Sequence, residues 1–116
     1  MDQVWVVTFY SDERGREPVR EWLDLLERTA VAEYGNVRHQ VDLLERFGPV
    51  LAGPHSKQLR GKIRELRAGP WRVTYFMDAM RRVVLLTSFR KTGRKTPPAE
   101  IRAAERAMRD WVSRHK

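Results

Sequence analysis

Three runs of strand-favouring residues, 62–67, 72–77 and 82–89, lie almost end to end, parted only by Ala-Gly-Pro-Trp and Asp-Ala-Met-Arg. Links of four residues suit hairpins and are too short for the crossover that a parallel neighbour needs. The stretch therefore predicts an antiparallel meander, and the rest of the chain has to cover that sheet. An earlier run, residues 4–10, is continuously β-branched and aromatic and closes at Ser-Asp-Glu-Arg-Gly-Arg-Glu. It reads as a further strand with substantial burial on both faces.

Between that strand and the meander the apolar period changes to three and four. Val19, Trp22, Leu23, Leu26 and Ala30 make one helical stripe, entered at Pro18 with Glu17 and Glu21 near the start, where the helix dipole favours them. Tyr34, Val37, Val41, Leu44 and Phe47 make a second, stopped by Gly48 and Pro49. Residues 48–56, with two Gly-Pro pairs, read as a loop. After the meander, Thr96 is placed to cap a last helix with Pro97 first, Glu100 in the first turn, and Ile101, Ala104, Met108, Trp111 and Val112 as its buried stripe. The order β-α-α-β-β-β-α predicts one α+β domain over residues 1–116, an antiparallel-rich sheet covered by helices.

The charge is uneven. Residues 1–55 hold six Lys and Arg against ten Asp and Glu, net −4, and residues 56–116 hold seventeen against five, net +12. That asymmetry points to a polyanion or an acidic partner meeting the second half. With no cysteine, disulfides and thiolate metal sites are excluded, and carboxylates and histidines are too scattered to suggest a metal centre. No apolar run is long enough to span a bilayer, and Met1 and Asp2 lead straight into the first strand without a basic leader, so a cytoplasmic, membrane-free setting is expected.

Side-chain alternation brings part of this charge together. Across a four-residue link Arg67 faces Arg72, and both project from one side of the sheet with Glu65 and Thr74. If Met77 faces Arg82, Arg72 pairs with Thr87, with Phe89 further along the same face, while Leu66, Val73, Tyr75, Val84 and Leu86 turn to the other. Two arginines opposed across strands repel unless an anion or a carboxylate lies between them, and Glu65 is a candidate. Lys57 before the meander and Lys91, Arg94 and Lys95 after it frame the same concavity. An arginine fork holds phosphate through two hydrogen bonds, and an aromatic such as Phe89 stacks unpaired bases. His39 and His115 read as surface residues; His55, two positions before Lys57, stays open as a participant.

Glu-Leu-Arg at 65–67, Trp-Arg-Val at 71–73, an apolar strand ending Phe-Arg-Lys at 89–91 and Lys-Thr-Pro-Pro-Ala-Glu-Ile at 95–101 follow in an order that resembles the phage-derived HigB-like branch of the RelE/ParE toxin superfamily. The resemblance is close over about half the chain, with the β-α-α beginning and Ser-Lys-Gln-Leu at 56–59 agreeing in outline; the departure is Thr92, where a second lysine is common. It implies a RelE-like fold and a type II toxin that cleaves messenger RNA on the ribosome, without cofactor or metal, and is blocked by a helix-turn-helix, HigA-like antitoxin. It maps the catalytic positions onto Lys57, Arg67, Arg72 and Lys91, and RNA contacts onto Phe89, Arg90, Arg94 and Lys95. Arginine, always protonated, suits phosphate and transition state; a lysine crowded by cations is better suited to moving protons. Two other readings stay open: a ParE-type gyrase inhibitor, and a basic module that binds nucleic acid without chemistry.

Overall fold

In the computed structural model, which describes residues 5–115, one five-stranded sheet carries helices on both faces. The elements in chain order are β1 (Val6–Phe9), α1 (Pro18–Thr29), α2 (Val31–Phe47), a 3-10 turn (Gly48–Val50), β2 (Ser56–Arg60), β3 (Ile63–Ala68), β4 (Trp71–Met77), β5 (Arg82–Arg90) and α3 (Pro98–Arg114). The sheet order is β1-β5-β4-β3-β2, so the meander is present and β1 joins its far edge, parallel to β5. The expected mixed α+β architecture therefore stands, with one strand more than the sequence suggested. Val4, expected to open the first strand, lies outside the described residues. As an edge strand, β1 is only half-buried rather than covered on both faces.

The added strand is β2, Ser-Lys-Gln-Leu-Arg, which pairs antiparallel with β3 through a turn at Gly61 and Lys62. Only Leu59 in it is apolar, so it has no hydrophobic alternation to read; it is an edge held chiefly by backbone pairing. Gly61 supplies the positive φ, 54°, that the turn requires.

One face of the sheet is covered by α1 and α2. Val19, Leu23 and Leu26 of α1 and Val37, Val41 and Leu44 of α2 pack on Leu66, Ala68, Val73, Tyr75, Val83 and Leu85. The helical stripes fall where their period put them, except that Phe47 ends up exposed. Gly48 closes α2 at φ 54°, and a Cβ there would meet the Trp5 indole at 2.2 Å, so the residue is fixed by both backbone and contact. α3 covers part of the opposite face, setting Ala104, Ala107 and Trp111 against Ile63, Phe76, Val84 and Leu86. Val112, expected in that stripe, is exposed, and Ala107 takes its place in the core.

Two details of register differ from expectation. Met77 pairs with Val83 rather than Arg82, and Arg72 with Phe89 rather than Thr87. The second difference is two residues, so Arg72, Thr87 and Phe89 keep the face assigned to them. Between Thr74 and Tyr75 the ladder shifts, pairing Thr74 with Thr87 and Tyr75 with Leu85 and leaving Leu86 without a partner. A bulge reverses side-chain parity. Val84 and Leu86 accordingly point to α3, not to the α1 and α2 side with Tyr75.

Candidate nucleic-acid interface

Because α3 reaches only part of its face, the rest, built from the facing ends of β2 to β5, is left for polar side chains. Glu65 of β3 stands at its centre with no exposed surface. Across β2 its partner is Lys57 and across β4 it is Thr74, while Arg67 and Arg72 face each other two pairs along, on the same face. The carboxylate resolves the repulsion between the two arginines. Its Oε2 lies 3.3 Å from Arg67 Nε and 3.6 Å from Arg72 Nε. Its other oxygen accepts a 2.6 Å hydrogen bond from the Thr96 hydroxyl. Thr96 is thus no helix cap: α3 starts at Pro98, with Pro97 in the cap position and no side-chain cap bond.

The two guanidinium groups are held differently. Arg72 donates through Nη1 to the carbonyls of Gly69 at 2.6 Å and Trp71 at 2.9 Å, and its Nε is a buried donor without a hydrogen-bond partner. Burial holds it below the ordinary arginine pKa, opposed by the attraction of Glu65 and reinforced by the charge of Arg67. Nη2 is what Arg72 has left to offer. Arg67 spends only Nε on the protein, among the described residues, and keeps both terminal nitrogens as a fork for a phosphate. Arg67 is also the more exposed, its side chain at 29% against 13% for Arg72.

Thr74 and Thr87 form the floor beside this pair, their hydroxyls sharing a 2.6 Å hydrogen bond. Phe89, opposite Arg72, is buried to 8% and lines the base of the bowl. Lys57 is exposed on β2, and Lys91 is half-buried just past β5, its N–H donating to the Pro70 carbonyl at 2.8 Å. Arg94 and Lys95 are exposed in the segment between β5 and α3. Arg90 is not brought to this face. Its guanidinium lies over the Trp71 ring, 5.7 Å from the centroid, and 4.0 Å from Glu33 on α2.

An open groove of about 560 Å³ adjoins the arginines, lined by Asn36, His39, Gln40 and His55 together with Arg67 and Arg72. Gln40 Nε2 donates to the Arg67 carbonyl at 2.7 Å and approaches His55 Nδ1 at 3.2 Å. An amide nitrogen only donates, so Nδ1 accepts and the proton of neutral His55 sits on Nε2. Nothing in the sequence singled out Gln40, whose partners arrive from 15 and 27 residues away. Among the described residues no three His, Asp or Glu side chains form a group able to hold a metal ion, and no helix is long and apolar enough to cross a membrane.

Among known proteins, the family model described as phage-derived protein Gp49-like matches residues 21–109, from the first helix to near the end of the last. No curated protein matches the chain.

Proposed function

The chain belongs to this phage-derived Gp49-like family, a RelE/HigB-like toxin family associated with toxin-antitoxin systems, and from that premise we propose that it is a toxin that cleaves messenger RNA on the ribosome. The observation that carries the reading is the arginine pair fixed on one buried carboxylate, in a basic bowl that α3 leaves uncovered. Its cognate partner is then a helix-turn-helix antitoxin of the HigA kind, closing the bowl, and its place is the cytoplasm, where messenger is translated.

The chemistry follows from the residues at hand. The ribose 2′-oxygen attacks the neighbouring phosphorus, the bond to the 5′-oxygen breaks, and a cyclic phosphate and a 5′-hydroxyl result. Arg67 grips the phosphate with its fork and Arg72 adds Nη2, both meeting the charge that builds on the non-bridging oxygens. One proton must leave the 2′-hydroxyl and one must reach the departing oxygen. Lys57 flanks the arginines from β2 and Lys91 from the end of β5 in the sheet order, and these two are the lysines we assign to the proton transfers of an in-line displacement. His55 points its one acceptor nitrogen at Gln40 and is not the base. Such a site is modest chemically, and alignment of the message by the ribosome supplies what it lacks, up to roughly 7–11 kcal/mol for well-oriented groups.

A cell-free translation reaction followed by primer extension tests this. Purified protein should produce discrete cuts in translated message, Arg67→Ala should abolish them, and untranslated message should survive. Intact message at ribosome-saturating protein overturns the reading, and inhibition of gyrase supercoiling in the same preparation would replace it with the ParE-type alternative.

A further inference from the structure

We propose that the hydrogen bond between Thr96 and Glu65 is a latch that places the basic segment 91–97 over the arginine pair, making Glu65 and Thr96 positioning residues for RNA cleavage. The proposal rests on the nuclease reading above.

Glu65 is unusual among the carboxylates of this chain in having no exposed surface while meeting three groups from three places. One oxygen faces both arginine Nε atoms and the other takes the Thr96 hydroxyl, from a residue 31 positions along the chain. A carboxylate with no exposed surface, facing two cations, is out of reach of a substrate proton. Its work is to hold. With Nε of Arg67 fixed, the fork cannot swing when a phosphate arrives, and less rotamer freedom is lost on binding.

The same contact acts on the loop. Between β5 and α3 the Lys91 N–H holds the Pro70 carbonyl at one end; at the other the Pro97 carbonyl accepts from Glu100 and Ile101 of α3, and among the described residues the Thr96 hydroxyl alone ties the segment to the sheet, at Glu65. Thr92, Gly93, Arg94 and Lys95 between them are exposed. Pro97 and Pro98 follow and have no N–H to offer, so the backbone cannot replace the hydroxyl. Removing that hydroxyl therefore frees the end of the segment carrying Arg94 and Lys95 while leaving strands and helices intact.

The test uses Thr96→Val, which keeps the shape and removes the hydroxyl, and Thr96→Ser, which keeps the hydroxyl. Brief native digestion with trypsin, quantified by mass spectrometry, reads the loop independently of any nuclease activity. Cutting after Lys91, Arg94 and Lys95 should rise about fivefold or more in Thr96→Val, with melting temperature near that of the parent, and return to the parent rate in Thr96→Ser. In the translation assay Thr96→Val should lose about tenfold in cleavage, chiefly as weaker message binding, with Thr96→Ser restoring it. Parental protection of the loop in Thr96→Val, failure of Thr96→Ser to restore it, or unchanged message cleavage with an exposed loop each overturns the latch. If the parent protein cuts no message, the nuclease reading falls, and the digestion alone then decides whether the latch exists.

Discussion

Arg67 and Arg72 differ by a few hydrogen bonds, and the difference sorts their roles. Arg72 is tied to two carbonyls and to Glu65 with little exposure, so it is part of the sheet as much as of the bowl. Arg72→Ala removes one of the two cations beside the buried carboxylate, Arg67 and Thr96 remaining, and leaves those carbonyls without their donor; a loss of about 1–3 kcal/mol in chemical denaturation is expected. Arg67→Lys retains the charge and the partner but removes the fork. Its melting point should stay within a few degrees of the parent while message cleavage falls about tenfold or more. Equal destabilisation by both substitutions would contradict this division. The facing pair was legible in the sequence because the four-residue link and strand alternation fix it. Thr96 was not. A threonine before two prolines obeys the capping rule, and only the folded sheet shows that Glu65 competes for its hydroxyl and wins. Arg90 was misplaced for a simpler reason: as the neighbour of Phe89 on a strand it must face the other way.

Among the elements, α3 decides where the bowl ends, and its attachment can be tested at both ends of the packing. Trp111 is buried to 4% between helix and sheet; Trp111→Ala should cost about 3–5 kcal/mol, measured by urea unfolding. At the rim, Tyr10 donates a 2.6 Å hydrogen bond to Asp110, which also takes Arg114 at 2.7 Å. These contacts, the Arg114 hydrogen bond first and that of Tyr10 next, hold the Asp110 carboxyl below the ordinary aspartate range, and burial with the same hydrogen bond pushes Tyr10 up to about 12. A carboxyl depressed on folding stabilises above its unfolded pKa and loses that contribution as pH falls through the folded one. Asp110→Asn should therefore lie below the parent in melting temperature at pH 7 and converge with it under strong acid. For Tyr10 the sign is opposite: its contribution is whole below pH 10 and fades toward about 12. Parallel curves for parent and Asp110→Asn from pH 7 to 2 would contradict the assignment. Helices were readable from period and the meander from its links, whereas β2 escaped because an edge strand of mostly polar residues carries no signal beyond its backbone. The bulge at Leu86 also left no trace, since each side of it alternates correctly by itself.

At the scale of the molecule, the +12 of residues 56–116 includes cations held away from the bowl, Arg60 at Glu105, Arg82 at Asp78 and Arg90 at Glu33, and the two sets can be separated by salt. Neutralising a phosphate of single-stranded RNA releases counterions, so each such contact contributes about 0.7 to the slope of log affinity against log salt. If Lys57, Arg67, Lys91, Arg94 and Lys95 line one strand of RNA, the parent slope should be roughly −3 or steeper. Lys95→Gln then makes it shallower by about 0.7, whatever the sequence of the RNA, because a phosphate contact carries no base identity. Arg90→Gln is the comparison. It removes the same net charge from a side chain lying against Trp71 and Glu33 on the far face, so the slope should hold at its parental value. Fluorescence anisotropy with a short labelled RNA at several salt concentrations reads both. If the two substitutions lower the slope alike, binding follows overall charge and the bowl has no privileged part in it. If only Lys95→Gln does, the sheet has focused a diffuse excess of cations onto the one face where a carboxylate already holds two arginines together.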